Sequence, residues 1–415
     1  MKRDLITQMR NEWRENIWLI LGLTIVSLAI WWISMTFYEA NKGLLYKTGF
    51  NTEDVYKIDI KTLPQDSPDY VERSDEEKAY LHSQDLRVLI AAIRKSPYVE
   101  AAAFSQNGLP YSLSYYGMGI HLPGNDTIYY GGNFRWVSPD MVRVLKLTSR
   151  TGKSEEQMEK MLRNGDVFVS NVFSYWDESK ILTPEQILGN EVFVDDTITK
   201  HRVSDIIDQM RRSDYDMNSG GMLLIPIDEE KNIQANSIGI RMKPGMGDKF
   251  REQFENDPAM QAYGNTYLSK LTSMKEEAKS VQKSKATDAR MKMTMILMLL
   301  VIIGLGMLGV FWFRIQQRIG EIAIRKVCGA KTSDIFRRIV TEGLLLLTVA
   351  SLIAAAIGWP LLNITLLKEE FIDVKTALIG EVAAYVVVAV GITLSLWWPA
   401  RRAMKIEPAI AIKDD

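Results

Sequence analysis

The chain has one cysteine, Cys328, and three histidines among its 415 residues. A single cysteine cannot form a disulfide within the chain, so a folded domain here depends on an apolar core. No histidine lies at metal-binding spacing from another histidine or the cysteine, and the GxxxxGK[ST], Gly-x-Ser-x-Gly and HExxH motifs do not occur. These absences argue against a zinc site, P-loop ATP hydrolysis on these residues, and the serine-hydrolase and zinc-protease classes.

Charge is missing from four stretches of 19 to 25 residues: Ile17–Tyr38, Met293–Phe313, Gly343–Leu367 and Val382–Ala400. A helix that rises about 1.5 Å per residue needs roughly 20 apolar residues to cross the hydrocarbon core of a bilayer. A charged segment of 254 residues separates the first stretch from the second. The sequence therefore predicts an integral membrane α-helical protein with four transmembrane helices and a large extracytoplasmic α+β domain inserted between helices 1 and 2.

Lysine and arginine in short flanking segments indicate the orientation. Residues 1–16, 314–342 and 401–415 each carry more basic than acidic residues, which is typical of cytoplasmic segments. The first apolar stretch follows a basic start, as a signal peptide would. Its 22 residues and the lack of a small-x-small cleavage site favour a retained anchor. We expect a multi-pass protein of the bacterial inner membrane with both termini in the cytoplasm.

This layout predicts nine consecutive segments. The N-terminal one is either an amphipathic helix on the inner membrane surface or an extension of the first span, with equal support. The segments are a cytoplasmic helix at 1–16, transmembrane helix 1 at 17–38, the extracytoplasmic domain at 39–292 with a stalk helix at 265–292, transmembrane helix 2 at 293–313, a cytoplasmic coupling loop at 314–342, transmembrane helix 3 at 343–367, an external loop at 368–376, transmembrane helix 4 at 377–400 and a cytoplasmic tail at 401–415.

Within 39–292, alternating and helical patterns follow one another, which is typical of mixed α and β structure. The length favours two subdomains. A helix is predicted at Asp75–Lys95 with Leu86, Leu89, Ile90 and Ile93 on one face, and a short helix after Pro139. Predicted strands include Val55–Leu63, Val99–Phe104, Asp126–Val137 with a break at Gly131-Gly132, Asp166–Ser170, Glu191–Val194, Met222–Ile227 and Ser237–Met242.

The stalk is predicted from apolar residues at three- and four-residue spacing. They are Leu271, Met274, Ala278 and Val281, and neither Gly nor Pro interrupts the chain from Asn265 to the second span. Such a stripe packs either on a partner helix or on the body of its own domain. Both alternatives remain open at this point.

The loop 314–342 combines charge pairs with helix signals. Glu321 and Arg325 are spaced as a favourable i, i+4 pair. Gly329 suits the left-handed end of a short helix, and Ser333 is placed to cap a second helix that starts at Asp334. One apolar face is predicted from Ile315, Ile319, Ile322 and Val327. The alternative is an amphipathic turn that only rests on the membrane surface.

The stretch from Arg318 to Ala330 closely resembles the signature of the MacB/FtsX-like permease family of ABC transporters, which reads R-x-x-E-I-x-I-R-K-x-x-G-A. The tail from Pro399 to Ala409 resembles the C-terminal end of that family, and Trp136–Asp140 with Arg150–Gly152 resembles its periplasmic core more weakly. The resemblance implies a permease subunit that relays ATP-driven motion to its outer domain. It also implies an ATPase-coupling surface formed by Arg318, Glu321, Ile322, Arg325, Lys326, Gly329 and Ala330.

The resemblance further implies that the chain is not itself an enzyme. ATP and magnesium are expected on a separate ABC ATPase subunit. The other expected partners are a second permease protomer in a homodimer or heterodimer, a periplasmic adaptor with an outer-membrane duct, and membrane lipid. Nucleic acid is not expected, because the basic residues form no cluster.

MacB-like export or mechanotransmission is the leading hypothesis for function. A lipoprotein-releasing permease and an FtsX-like regulator of cell-wall hydrolases are alternatives within the family. A ligand-sensing receptor is the alternative from another class, but the cytoplasmic segments are too short to hold a signalling domain.

Overall fold

The computed structural model of the chain describes residues 13–46, 48–112, 116–124, 129–174, 180–194, 199–211, 213–215, 220–317, 320, 322, 324, 327–362 and 374–404. The chain divides into two compact units. The membrane unit comprises residues 1–42 and 285–415, and the inserted unit comprises residues 43–284.

Long helices dominate the membrane unit and short ones the inserted unit. The helices are α1 (Trp13–Asn41), α2 (Asp75–Arg94), α3 (Met141–Leu145), α4 (Glu155–Arg163), α5 (Pro184–Ile187), α6 (Gly247–Asn256), α7 (Pro258–Gln261), α8 (Met274–Gln317), α9 (Thr332–Leu362) and α10 (Val374–Met404), with a 3-10 turn at Lys42–Leu45. Of the helices in the described residues, α1, α8, α9 and α10 are long and apolar enough to cross a membrane. The predicted fold class, with a large unit of strands and helices inserted between the first and second span, is confirmed.

The inserted unit holds the strands. They are β1 (Val55–Thr62), β2 (Val99–Gln106), β3 (Tyr116–His121), β4 (Tyr130–Val137), β5 (Val167–Ser170), β6 (Phe173–Ser174), β7 (Ile181–Leu182), β8 (Glu191–Val194), β9 (Lys200–Ile206), β10 (Gly221–Pro226), β11 (Ser237–Met242), β12 (Ala262–Tyr263) and β13 (Thr266–Ser273).

One half of the inserted unit is an open antiparallel sheet in the order β12-β13-β1-β11-β2. Helices α2 and α6 supply apolar side chains to the same core cluster as these strands. The predicted apolar face of α2 is buried, since Leu86, Leu89, Ile90 and Ile93 are at most 2% exposed. Burial of this face stabilises the packing of α2 in the core cluster, because each such side chain contributes roughly 1.5–3 kcal/mol when fully removed from water.

The other half is a closed ring of strands. Strand β4 pairs with β3 on one side and in parallel with β10 on the other, and the ring returns through β5, β9 and β8. Its core cluster includes Ile120, Phe134, Val169, Val203 and Leu223, which are all almost fully buried. The two predicted subdomains are therefore two halves of one connected strand network within a single compact unit.

The predicted break in β4 at Gly131-Gly132 is wrong. The strand runs unbroken from Tyr130, and Gly132 lies opposite Gly221 in the parallel pair with β10. A Cβ would lie 2.6 Å from the Phe173 ring at Gly132 and 2.2 Å from it at Gly221. These glycines are therefore present because a phenylalanine ring rests on the sheet at this point, and not because the strand turns.

The predicted start of the stalk helix at residue 265 is also wrong. Residues Thr266–Ser273 form β13, which pairs with β1, and the helix begins at Met274. The Glu276 amide donates to Ser273 Oγ at 3.2 Å, and the Ser273 amide donates to Glu276 Oε2 at 3.4 Å. This reciprocal pair is a capping box, which fixes the strand-to-helix boundary.

The stalk stripe packs on its own unit. Met274 is fully buried, and Ala278 and Val281 pack against the core cluster that contains Val144 and Met158. For these residues the structure favours the second alternative, packing on the body of the domain. Leu271, by contrast, belongs to β13.

In the membrane unit, α1, α9 and α10 share one core cluster. Its buried members include Ile30, Leu346, Leu347, Val388 and Ile392. Helix α8 adds Ile303, and a Cβ at its Gly304 would lie 2.7 Å from Ser395 Oγ. Much of the rest of α8 is exposed in the single chain, including Met293, Leu297, Val301 and Leu305.

Several predictions fall partly outside the described residues. Residues 13–16 of the predicted N-terminal segment belong to α1, whereas residues 1–12 lie outside the described part of the chain. The same holds for 363–373, which includes the end of predicted helix 3, and for the tail from 405 onwards.

Candidate coupling surface

The segment that links α8 to α9 contains a helical turn with a sharp end. Residues 320, 322, 324 and 327 are helical, and the Cys328 amide donates to the Ile324 carbonyl at 2.9 Å, one turn back. Gly329 then adopts a left-handed conformation with φ of 91°. The predicted glycine end is confirmed, and its cause is that residues with a Cβ are strained at this φ.

Helix α9 begins two residues earlier than predicted. It starts at Thr332, and Ser333 lies inside its first turn instead of capping it. The Lys331 amide donates to Asp334 Oδ2 at 3.2 Å, and the Asp334 amide donates to the Lys331 carbonyl at 2.9 Å. The carboxylate three residues into the helix thus takes the capping role, and its charge suits the positive end of the helix dipole.

Apolar contacts anchor this segment in the membrane unit. Ile335 and Ile339 of α9 are buried members of the core cluster, and Phe336 packs against it. Ile322 is half-buried and packs against the same cluster. The turn is therefore fixed at both ends to the helices that cross the membrane.

Two large apolar side chains of this turn point away from the core. Ile324 is 58% exposed and Val327 is 66% exposed. Cys328 and Gly329 beside them are exposed as well, and Ala330 is half-buried. Adjacent exposed apolar side chains favour contact with another molecule, because burying them removes apolar area from water.

The apolar face predicted from Ile315, Ile319, Ile322 and Val327 is therefore wrong in its last member, whereas the side chains of Ile315 and Ile319 lie outside the described part of the chain. At about 100° per residue, Val327 lies roughly 140° from Ile322 around the helix axis but only about 60° from Ile324. The rotation per residue was the signal that could have found the exposed pair. It groups Val327 with Ile324 and leaves Ile322 on the core side.

Exposed polar side chains follow the exposed pair in the chain. Lys331, Ser333, Asp334 and Arg337 are exposed at the start of α9. Of the predicted coupling residues, Ile322, Gly329 and Ala330 are described and lie within eight residues of one another in the chain. Arg318, Glu321, Arg325 and Lys326 lie outside the described residues.

This arrangement supports docking rather than chemistry. No group of three or more His, Cys, Asp or Glu side chains that could hold a metal occurs in the part of the chain that the structure describes. The predicted site residues include no nucleophile paired with a base. The exposed pair Ile324 and Val327, together with Gly329 and the exposed polar side chains that follow it in the chain, is hereafter called the coupling surface.

The coupling surface lies in a part of the chain that matches a known protein family. Residues 293–408 match the family described as FtsX-like permease C-terminal. The chain is 35% identical over 118 residues to the macrolide export ATP-binding/permease protein MacB of Bradyrhizobium diazoefficiens, which covers 27% of this chain and 17% of that protein. It is 27% identical over 135 residues to the pyoverdine export ATP-binding/permease protein PvdT of Pseudomonas fluorescens, which covers 31% of this chain and 20% of that protein.

A third relative is the probable syringafactin export ATP-binding/permease protein SyfD of Pseudomonas syringae pv. tomato. It is 24% identical over 182 residues, which covers 43% of this chain and 27% of that protein. The matches thus span about a fifth to a quarter of the length of these relatives. Among solved structures, the extracellular domain of the noncanonic ABC-type transporter YknZ from Gram-positive bacteria matches 52% of this chain and 100% of that one, at 10% identity and a TM-score of 0.30. That likeness is too distant to assign a fold.

Four membrane-capable helices and a matched permease domain define a multi-pass membrane protein of the permease class. Residues 293–408 thus match the FtsX-like permease family, and the relatives described above are export ATP-binding/permease proteins, in agreement with the family that the coupling-loop signature predicts.

Proposed function

We propose that this chain is the transmembrane subunit of an ABC transporter and relays ATP-driven motion of a separate ATPase subunit to its inserted unit. The observation that carries the proposal is the coupling surface. Ile324 and Val327 are exposed on a turn whose neighbours Ile322 and Ile335 are anchored in the helix core. A partner that binds an anchored turn moves the helices attached to it, because packed interiors transmit displacement with little compression.

Helix α8 offers a direct route for that motion. Its 44 residues form one helix from Met274, which is buried in the inserted unit, to Gln317 at the start of the coupling loop. At about 1.5 Å per residue, the helix is roughly 66 Å long. In this proposal, motion of the loop would reach the inserted unit along this helix.

The proposed function also implies a set of partners and an orientation in the membrane. ATP and magnesium would bind the ATPase subunit. A second permease protomer, in a homodimer or heterodimer, a periplasmic adaptor with an outer-membrane duct, and membrane lipid complete the set of partners. The termini would face the cytoplasm and the inserted unit would lie outside it.

The names of the relatives support export as the general function. Those names specify a macrolide, pyoverdine and syringafactin as cargo, which are three different molecules. We extend the class of export or mechanotransmission to this chain and assign no cargo.

The test is co-purification of the full chain in nanodiscs with the ABC ATPase encoded nearest to it, followed by ATP turnover. Ile324→Asp and Val327→Asp place a charge in the proposed contact, and charge reversal of Glu321 and Arg325 tests the predicted pair. We expect the double variant Ile324→Asp/Val327→Asp to lose at least tenfold in affinity for the ATPase, because an unpaired charge buried in an interface costs several kcal/mol.

The matched control is Ile181→Asp, since Ile181 is 60% exposed in the inserted unit and receives the same substitution. It should leave association and ATP turnover at the wild-type level. If the double variant at Ile324 and Val327 behaves like this control, the ATPase does not bind at the coupling surface.

A further inference from the structure

One irregular segment of the inserted unit contacts the chain both where it enters that unit and where it leaves it. This latch segment comprises residues 208–211 and 213–215, which follow β9. The entering chain is the stretch that begins at Gly43, directly after α1 and Lys42. The leaving chain is the first part of α8, up to Ser284. All of these residues belong to the inserted unit.

The entering chain is held through its backbone. Arg211 is 2% exposed, and its Nη1 donates to the Gly43 carbonyl oxygen at 2.7 Å. A Cβ at Gly43 would lie 2.5 Å from the Asp214 carbonyl oxygen, so the two backbones are in direct contact. Further along, the Gly49 amide donates to the Gln209 carbonyl at 3.0 Å. Glycine is required at Gly43 because a Cβ there would collide with backbone atoms, which cannot move aside as a flexible side chain could.

The leaving helix is held through a carboxylate. Gln282 of α8 donates its Nε2 to Asp214 Oδ2 at 2.8 Å. Tyr111 donates its hydroxyl to the other oxygen, Oδ1, also at 2.8 Å. Burial and this hydrogen bond raise the pKa of Tyr111, so the phenol stays a neutral donor at physiological pH. Both carboxylate oxygens of Asp214 are therefore engaged, one from the stalk and one from the body of the unit.

We propose that the latch segment mechanically couples the chain leaving α1 to the first turns of α8, through Arg211 on one side and Asp214 on the other. A displacement of either connection is then delivered to the other and to the core of the inserted unit. A hydrogen bond to a charged acceptor is among the stronger polar contacts, and two of them meet at one carboxylate. The role of the latch in transmission rests on the proposed function, whereas its existence rests on the contacts within residues 43–284.

The first test is hydrogen exchange on the full chain in nanodiscs, without any partner. Gln282→Ala removes the stalk contact and leaves helix propensity favourable. We expect amides in the latch segment and in residues 48–51 to exchange about tenfold faster, because loss of one charged hydrogen bond lowers the cost of local opening by that order. Lys279→Ala on the same helix is the control, since Lys279 is exposed, and it should change neither region.

A second variant, Gln282→Glu, should give a pH-dependent effect that a simple loss of packing would not produce. Gln282→Glu places a second carboxylate against Asp214, so the protection of the two regions, calculated against the intrinsic exchange rate at each pH, should be low at neutral pH and rise as the pH falls and one carboxyl is protonated. The proposal is overturned if Gln282→Ala and Gln282→Glu both leave residues 48–51 at the wild-type exchange rate, since the entering chain is then not coupled to the stalk.

The role in transmission is tested separately with the ATPase subunit bound. If Gln282→Ala loosens both regions and also abolishes the ATP-dependent exchange change of the inserted unit, while ATPase binding is retained, the latch transmits motion. If the regions loosen but the ATP-dependent change persists, the transmission role is wrong and the proposed function stands. Failure of the wild-type chain to bind an ATPase would overturn the proposed function alone.

Discussion

Trp31 of α1 lies directly against Gly358 of α9, where a Cβ would be 1.9 Å from Cζ3 of the indole. The same indole donates its Nε1 to the Ala377 carbonyl of α10 at 2.9 Å. The Trp31 side chain thus contacts both neighbouring helices. Its ring packs on α9 where Gly358 has no side chain, and its Nε1 makes a hydrogen bond to α10. Small residues that permit such approach stabilise helix pairs in membranes, where the hydrophobic effect does not drive helices together.

Substitution Gly358→Ala should therefore destabilise the membrane unit. The added methyl group overlaps a large ring that is also held by a hydrogen bond, so we expect a loss of about 1–3 kcal/mol. Unfolding of the full chain in mixed detergent micelles, with increasing SDS, measures the effect. Gly306→Ala in α8 is the control, since no described atom lies within 4 Å of a Cβ there. Equal stability of the two variants would contradict the packing of Trp31 on Gly358.

A second glycine pair tests the ring of strands. Gly132→Ala places a methyl group 2.6 Å from the Phe173 ring, whereas the methyl group of Gly131→Ala would lie 3.7 Å from the Ser174 carbonyl oxygen. Both residues lie in β4, so any general effect of alanine on the strand is shared. We expect Gly132→Ala to cost about 1–3 kcal/mol more than Gly131→Ala in chemical denaturation of the inserted unit within the full chain. Restoration by Phe173→Leu in the Gly132→Ala background would identify the ring as the cause.

His82 makes the inserted unit sensitive to acid. Its Nδ1 is 2.9 Å from Thr266 Oγ1, which in turn lies 3.3 Å from Asp85 Oδ2. Burial lowers the pKa of His82 below its usual 6.5, although the charge of Asp85 opposes the shift. The unfolded chain then binds the proton more tightly than the folded chain does, so stability is full above about pH 6.5 and falls as the pH drops through the folded-state pKa.

Denaturant unfolding of the full chain between pH 7.5 and 5.5 checks this dependence. His82→Gln keeps a side chain that can hydrogen-bond but cannot titrate in this range, so its stability should decline less over the same interval. Arg73, which pairs with Asp85 at 2.8 Å, faces the same carboxylate, and its charge adds to the lowering of the His82 pKa. Identical pH profiles for the wild type and His82→Gln would show that another group controls the acid response.

The spacing of apolar residues predicted those helices and strands whose own sequence has one apolar and one polar face. Strand β11 occupies the predicted Ser237–Met242, and α2 occupies Asp75–Arg94 within one residue of its predicted end. Helix α4 at Glu155–Arg163 was missed, although Ser154 and Gln157 form a capping box that was legible in the sequence. The start of α8 was missed in the same way, through the box of Ser273 and Glu276.

The closed ring could not have been predicted from local patterns. Its closure depends on the parallel pairing of β10 with β4, which lie almost ninety residues apart in the chain. Periodicity reports which face of a strand is buried and carries no information on which strand is the neighbour. The same limit applies to the latch segment, because nothing in the spacing of Arg211 and Asp214 indicates Gly43 or Gln282 as their partners.

The coupling surface was predicted in part. The left-handed turn at Gly329 followed from glycine chemistry, and Ile322 and Ala330 are described in the same linking segment. Helical rotation groups Ile324 with Val327, but the choice of which side of the turn faces the core depends on the packing of Ile322 against the core cluster, which no local pattern records. Arg318, Glu321, Arg325 and Lys326 remain predictions.

The central claim is that ATP acts on the inserted unit through the coupling surface. Hydrogen exchange of residues 43–284 in the nanodisc complex of chain and ATPase, with and without a non-hydrolysable ATP analogue, tests it most directly. We expect the nucleotide to change exchange in the inserted unit, and we expect Ile324→Asp/Val327→Asp to abolish this change while Ile181→Asp preserves it. An inserted unit whose exchange is the same with and without nucleotide, in a complex that binds and hydrolyses ATP, would contradict the account.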